Sequence, residues 1–402
     1  MAAIDDAPRP SVAWSPATVA QVDLRLLDDP IAVPVRTSFG SMHSRPGLIV
    51  RLTDADGVQG FGEAWCNFPA GGARYKATLI EQYVRPALQG QRFAAPAEVQ
   101  ARLHALFAIL RLQCADYGAM AQLIAAVDQA AWDLFGKRAG QPLWQLLGGR
   151  REVPVYASGI GPRHVAETVR AQHAAGHRGF KIKLGFDDAT DHASLAAARD
   201  ALPRGATLMV DINQGWTVEQ AKAWLPRLAE AGIAWCEEPL RADAAWDDWR
   251  LLAALAPSLP IAGGENLLGE QRFVDAVERG AVRVLQPDLG KWGGISENLQ
   301  LARRLQGTPA SICPHWLAGG IGLMASLQFK AAIGGAGMVE MDANPNRQRS
   351  EAFAEPLVVR DGVVSLPDTP GVVPPLAPWL LEPQAWATPS PEHAPARTAP
   401  SA

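Results

Sequence analysis

The sequence predicts an α/β protein built on a barrel of eight parallel strands, with a smaller α+β domain in front of it. Three observations carry that expectation. From residue 153 onward a short apolar strand followed by an amphipathic helix recurs along the chain. Nearly all of those strands end in a charged residue or an amide. No Gly-rich fingerprint follows the first of them, which speaks against an open doubly wound sheet.

Taken in order, residues 1–17 form an N-terminal extension and a strand-rich region runs from about 18 to 68. Within it, "VAQVDLRLLD" and "GLIVRLTDADGVQGFGEAW" read as a small antiparallel sheet with a turn around Asp56-Gly57. Residues 76–147 carry helical periodicity, including the Ala-rich "GAMAQLIAAVDQAAWDLFGKRAG", whose end is marked by Gly140 and Pro142. The eight strands are then "VPVYASGI", "FKIKLGF", "TLMVDIN", "IAWCEEP", "PIAGGEN", "RVLQPDLG", "SICPHW" and "GMVEMD", most of them separated by helical patterns such as "TVEQAKAWLPRLAEAG". Beyond residue 346 the pattern is irregular and Pro-rich, and the closing "ATPSPEHAPARTAPSA" has the composition of a disordered tail.

Composition narrows the function classes. With 402 residues, 48% hydrophobic and 19% charged, the chain can bury a sizeable core. Its 37 Lys+Arg against 41 Asp+Glu leave a formal charge of −4, which points to neither nucleic acid nor an anionic membrane as partner. Cys66, Cys114, Cys236 and Cys313 are far apart and form no Cys-x-x-Cys pair, so reduced thiols in a cytosol fit best. The N-terminal "MAAIDDAPRP" carries acids where a signal peptide needs basic residues and an apolar run, so a soluble cytoplasmic protein is expected.

The strand ends carry the chemistry, because in such a barrel the reacting groups sit at the C-terminal ends of the strands. Strand two supplies Lys181 and Lys183, strand three Asp211 and Asn213, strand four Glu237 and Glu238, and strand five Glu265 and Asn266. Asp288, His315 and Glu340 follow on strands six, seven and eight. Each alone has a plainer role as a loop cap or solvated side chain, and "EEP" can simply cap the next helix. Together they are different, since converging buried acids repel unless cations neutralise them. Asp211, Glu237 and Glu265, three hard oxygen donors with few His or Cys nearby, suit Mg²⁺. Lys181 and Lys183 point to one face of their strand, where each ammonium is expected to lower the other's pKa and leave a lysine able to act as a base. Opposite them, His315 oriented by Asp288 makes a second base.

These motifs resemble the enolase superfamily, and within it the mandelate racemase subgroup, from about residue 20 to 375. "FKIKLG" is similar to its Lys-x-Lys motif, and "VDINQGW", "CEEPL" and "GGENL" to its three metal-ligand segments. "QPDLGKWGG" followed by "CPHW" resembles its Asp/His dyad, and "VEMD" its late Glu. The resemblance implies a modified TIM barrel, (β/α)7β, over 148–345, an N-terminal α+β capping domain over 18–147, a segment over 346–383 that returns to the cap, and a tail over 384–402. It also implies one Mg²⁺ per subunit, held by Asp211, Glu237 and Glu265, and abstraction of the proton α to a carboxylate to give an enediolate. Lys183 would be the base on one face and His315, with Asp288, the acid/base on the other. Lys181 and Glu340 would bind the substrate carboxylate, Asn213 would line the pocket, Glu238 would lie behind the metal, and Lys291 would be structural.

Two outcomes stay open at this point. Dehydration of an acid sugar (aldonate or aldarate) to a 2-keto-3-deoxy acid is preferred, with racemisation or epimerisation of an α-hydroxy acid as the alternative. A non-catalytic barrel binding metal and carboxylate is the reading of another class, and two opposed bases argue against it. Specificity is expected from the cap loops "VRTSFGSMHSRPG" and "CNFPAGGARYKA", whose polar residues favour a hydroxylated or anionic substrate. The subgroup is commonly homo-oligomeric, and a dimer or a multiple of it, up to an octamer, is expected.

Overall fold

The computed structural model describes residues 12–37, 40–383 and 386; the start of the N-terminal extension and nearly all of the Pro/Ala-rich tail lie outside the described residues. Strands β1 (Ala17–Thr37), β2 (Gly40–Asp54), β3 (Gln59–Ala64) and β4 (Arg92–Phe93) form an antiparallel sheet in the order β3-β2-β1-β4. The turn between β2 and β3 is where the sequence places it: Gly57 takes φ +84°, and the Asp54 carboxylate accepts from the N–H groups of Asp56 and Val58.

Helices α1 (Gly72–Leu79), α2 (Arg85–Leu88), α3 (Pro96–Phe107), α4 (Leu110–Gln113), α5 (Tyr117–Ala139) and α6 (Leu143–Leu146) follow, a π-turn over Ile80–Val84 joining the first two. The Ala-rich α5 starts at an Asp116 cap that accepts from Ala119 N–H at 3.0 Å, and it stops at Gly140 in the left-handed region, φ +71°. Its small residues let it lie directly on β3. A Cβ at Gly60 or Gly62 would press on the carbonyl oxygens of Ala130 and Ala126, so "GFG" is the contact surface of strand and helix.

The barrel strands are β5 (Glu152–Ile160), β6 (Gly179–Lys183), β7 (Thr207–Asp211), β8 (Cys236–Glu237), β9 (Ile261–Gly263), β10 (Val284–Leu285), β11 (Ser311–Ile312) and β12 (Val339–Asp342). The first seven pair in parallel sequence, and β12 returns to pair with β5. Between β11 and β12 the barrel closes through a backbone bond from Glu340 N–H to Pro314 O, 3.1 Å. Helices α7 (Val165–Ala174), α8 (Asp188–Ala201), α9 (Val218–Glu230), α10 (Trp246–Leu255), α11 (Glu270–Glu278), α12 (Ser296–Arg304) and α13 (Gly320–Ile333) follow the first seven strands. After β12 comes only the four-residue α14 (Arg347–Ser350), so the architecture is (β/α)7β.

The later strands are shorter than the sequence suggests. β8, β10 and β11 have two residues each, and the chain leaves the ladder near Pro239, Pro287 and Pro314, which have no N–H to donate. Inside the barrel, Tyr156, Met209, Trp235, Ala262, Val284 and Cys313 form a buried apolar cluster. On the outside, Phe180, Ile182, Val210, Cys236, Ile261, Leu285 and Ile312 belong to the large core shared with the helices.

The chain ends by returning across both parts. Strands β13 (Val359–Arg360) and β14 (Val363–Ser365) make a hairpin whose second arm pairs antiparallel with β5. The N–H groups of Val372 and Val373 then both donate to Asp133 of α5 at 2.8 Å, before the last helix, α15 (Pro378–Leu381). All four cysteines are free, with Cys114 exposed. Among the described residues no helix is long and apolar enough to cross a membrane.

Candidate active site at the strand ends

The two lysines of β6 are compensated by carboxylates on the strands around them. Lys181 Nζ lies 2.5 Å from Glu237 Oε2 and 2.8 Å from Glu340 Oε1, with side chains only 1%, 0% and 0% exposed. Its ammonium also sits 5.3 Å above the Tyr156 ring. Lys183 stands opposite Asp211 in the β6–β7 register and donates to Asp211 Oδ2 at 2.9 Å and to Asn213 Oδ1 at 2.5 Å.

This corrects the expectation that the ammoniums depress each other. Burial does act against both charges, and Lys181 adds to the effect on Lys183. Asp211 and Glu265 nevertheless hold Lys183 above its ordinary pKa, while Glu237 and Glu340 hold Lys181 well above it. Carboxylates from β7, β8, β12 and the end of β9 outweigh the like charge two residues away.

The three acids expected to bind metal stand at the ends of consecutive strands. Asp211 and Glu237 are register partners in β7 and β8, and Glu265 follows β9 after Gly264. Gly264 takes φ +139° beside the Gln286 backbone, where a Cβ would come within 2.9 Å of Gln286 N. The acids are not gathered as they stand: among the described residues no three His, Cys, Asp or Glu are close enough together to hold an ion. Asp211 is paired with Lys183 and Glu237 with Lys181 and Gln286. Glu265 is paired with His315 and Lys291.

The donor set nevertheless fits a hard divalent cation. Glu237 Oε1 is buried without a hydrogen-bond partner. Burial pushes the Glu237 carboxyl up to about 7 against the pull of Lys181, with Asp211, Glu340 and Glu265 adding to the rise. Glu238 is raised well above the usual range by burial and by Glu265. A cation among these oxygens would relieve that crowding.

On the other side, His315 Nδ1 lies 2.6 Å from Asp288 Oδ2, and its Nε2 lies 2.5 Å from Glu265 Oε2. Asp288 is held in turn, its Oδ1 accepting from Gly290 and Lys291 N–H. Burial opposes the imidazolium, but Glu265, Glu340 and Asp288 raise the His315 pKa well above its ordinary value. Glu340 is fully buried, with Oε2 accepting from Trp316 N–H at 3.2 Å. Lys291 bonds Asn266 at 3.2 Å and lies 4.6 Å above the Trp65 ring. Both Glu238 oxygens and Glu265 Oε1 accept from the Asn266 amide at 2.9 Å.

A cavity of about 250 Å³ opens above these groups, and Lys183, Asn213, Glu265, Lys291 and His315 line it. Lys181, Asp211, Glu237, Asp288 and Glu340 are buried and do not line it. Both cap loops contribute to it. The first supplies Val35 and Met42, and its Arg45 is buried against Asp342 at 2.6 Å. Ser38 and Phe39 of that loop lie outside the described residues. The second supplies Asn67 and Phe68, with Trp65 just before it, while Lys76 turns away to bond Trp65 O and the exposed Tyr75 bonds Asp116. The described cap side of the cavity is therefore mostly apolar, and amides ring the barrel side. Two site residues escaped the sequence reading: Gln286, which donates to Glu237 at 2.5 Å, and Tyr156 beneath Lys181. Gln286 carried a signal, a polar residue at a strand end; Tyr156 carried none, sitting mid-strand among apolar neighbours.

Residues 21–148 match the family model described as mandelate racemase / muconate lactonizing enzyme, N-terminal domain, and residues 164–373 match enolase C-terminal domain-like. The chain is 32% identical over 371 residues to a D-galactarolactone cycloisomerase of Agrobacterium fabrum, covering 88% of this chain and 95% of the relative. It is 32% identical over 257 residues to an arabinonate dehydratase of Saccharolobus solfataricus, covering 62% and 68%. Among solved structures, a mandelate racemase/muconate lactonizing enzyme from Bordetella bronchiseptica superposes with a TM-score of 0.82 at 41% identity, covering 90% of this chain and 98% of that one. An enolase from Bradyrhizobium complexed with magnesium and mandelic acid gives 0.79 at 28% identity, covering 91% and 98%.

Proposed function

We propose, since this chain belongs to the mandelate racemase/muconate lactonizing enzyme family of the enolase superfamily, that it is a Mg²⁺-dependent enzyme that removes the proton α to the carboxylate of a small hydroxy acid. The observation that carries the reading is that Lys183 and His315, from barrel strands two and seven, line one cavity with a carboxylate of the acid cluster, Glu265, between them in the chain. The magnesium in the Bradyrhizobium structure favours the same metal here, held by Asp211, Glu237 and Glu265. When bound, Mg²⁺ supplies Lewis-acid stabilisation of the charge that develops on the substrate carboxylate.

The chain's own residues divide the rest of the work. Lys183 would take the α-proton on one face in its neutral form, with Asn213 aligning its Nζ. That form becomes accessible once Asp211 and Glu265, the carboxylates that hold its charge here, turn to a bound cation. Lys181, anchored by Glu340 just below the cavity, would offer its ammonium to the carboxylate once Glu237 is drawn from it to the cation, as negative charge builds there. Asp288 fixes Nδ1 of His315, which leaves Nε2 to move a proton at the substrate. If that proton goes to a β-hydroxyl, water leaves and a 2-keto-3-deoxy acid forms; if it goes to the α-carbon, the configuration inverts.

Dehydration of an acid sugar is the reading we prefer. The amides of Asn67, Asn213, Gln214 and Asn266 around the cavity give hydroxyls partners, and the cycloisomerase and dehydratase relatives carry sugar-acid names. Racemisation of an α-hydroxy acid is the second reading, favoured by the apolar Val35, Met42, Trp65 and Phe68 on the cap side. The deciding experiment is proton exchange with solvent, set out at the end of the Discussion. We also place the capping unit at 18–147, the barrel at 148–345 and the returning segment at 346–383. The enzyme is proposed to work in the cytoplasm as a homo-oligomer, and light scattering that finds a monomer at micromolar concentration would contradict that assembly.

A further inference from the structure

The loops that carry Asp288 and His315 are gripped by the cap. Helices α12 and α13, which follow strands six and seven, have Ile295 and Gly319 at their N-caps, and neither residue offers a side chain to cap its helix. Their first N–H groups need acceptors from elsewhere. For α13 these come from β3: Glu63 Oε1 accepts from Gly319 N–H at 2.6 Å and Oε2 from Gly322 N–H at 3.0 Å. For α12 they come from α5: Asp128 accepts from the N–H groups of Ile295 and Ser296 at 2.6 and 2.9 Å.

The grip reaches the residue next to Asp288. Gln129 Nε2 donates to Leu289 O at 2.9 Å, and its Oε1 accepts from Glu63 N–H at 3.2 Å, so one amide ties β3, α5 and the Asp288 loop together. Glu63 connects to His315 by a similarly short route. Gly319 O accepts from the Trp316 indole N–H at 2.6 Å, and Trp316 is the neighbour of His315. The Trp316 ring fills the space where a Cβ of Gly290 or Gly322 would stand, so the two loops are packed against each other through it. Glycine at 319 is what lets the Glu63 carboxylate come so close, since a Cβ there would lie 2.5 Å from Oε1.

We propose that Glu63 and Gln129 are positioning residues for the Asp288–His315 pair. The cap, besides covering the cavity, sets the geometry of one of its two bases. Lys183 is not held by Glu63 or Gln129; its hydrogen bonds go to Asp211 and Asn213, on and just after β7. The inference rests on the two-base reading above for its kinetic consequence, though not for its structural one.

Glu63→Ala leaves two buried N–H groups without acceptors, Gln129→Met removes the amide at similar size, and Glu63→Gln keeps one acceptor. In Mg²⁺-loaded full-length protein, the expected result is that solvent exchange on the His315 face and net turnover fall about 10- to 100-fold in Glu63→Ala and Gln129→Met, and less in Glu63→Gln. Exchange on the Lys183 face stays at the parent's rate, with KM unchanged. Parallel loss on both faces, or no loss on either, overturns the proposal. A second readout needs no substrate: with ¹⁵N-histidine labelling, the Nδ1 proton of His315 should resonate far downfield in the parent and shift or broaden in Glu63→Ala and Gln129→Met. Its absence in the parent, or its persistence unchanged in those variants, overturns the proposal even if the chemical reading of the cavity fails separately.

Discussion

His315→Asn is expected to lower net turnover by about 10²- to 10⁴-fold, the contribution of one positioned base, while leaving solvent deuterium exchange in the isomer whose α-proton faces Lys183. Lys183→Ala should give the mirror result. The physical reason is that the two groups come from strands far apart around the barrel and are hydrogen-bonded by different residues, Asp288 and Glu265 for one and Asp211 with Asn213 for the other. Removing one therefore does not disarrange the other. Asp288→Asn should behave as a weaker His315 variant, since the imidazole remains but loses the carboxylate 2.6 Å from Nδ1. Isotope exchange followed by NMR on each isomer separates these cases. Near-normal turnover in both Lys183→Ala and His315→Asn would refute the two-base assignment. If only Lys183 proved dispensable, His315 would be performing both proton transfers.

Asp211→Asn, Glu237→Gln and Glu265→Gln should each abolish turnover, by on the order of 10³-fold or more, because Lewis-acid stabilisation supplies several kcal/mol and each loses a full anionic ligand. The fold should survive, since each replacement is isosteric and a lysine or histidine partner at the position retains other contacts. Lys181 keeps Glu340, and His315 keeps Asp288. Calorimetric titration with Mg²⁺ and a thermal melt check both halves of this expectation. Unaltered Mg²⁺ affinity in all three variants would remove these residues from the ligand set.

Much of this site was legible because barrel chemistry concentrates at strand ends, and polar residues there stand out against apolar strands. Lys181, Lys183, Asp211, Glu237, Glu265, Asp288, His315 and Glu340 stand out that way, and the structure places them on, or just after, the successive barrel strands β6 to β12, while their roles are those proposed. The lengths of the late strands were not legible. A run such as "RVLQPDLG" looks like eight strand residues, while Pro287 limits the ladder to two.

What failed was partner choice. Periodicity says which face a lysine occupies, but whether it meets another lysine or a carboxylate first depends on the neighbouring strand. Lys183 meets Asp211 across the β6–β7 register, so its charge is favoured, the reverse of the expectation from its own strand. Within the cap loops, too, partners come from far away: Arg45 is bound by Asp342, 297 residues on, and Lys76 by a backbone carbonyl. The bond between Glu63 and Gly319 spans 256 residues and leaves no local mark in the sequence.

The central claim, metal-dependent removal of a proton α to a carboxylate, is tested most directly by incubating the unmodified protein in D₂O with Mg²⁺ and a panel of aldonic, aldaric and α-hydroxy acids, followed by NMR. The account predicts that at least one acid loses its α-proton signal or gives a 2-keto acid, and that EDTA abolishes the change until Mg²⁺ is restored. No exchange and no product from any acid, or full activity in metal-free protein, would contradict it.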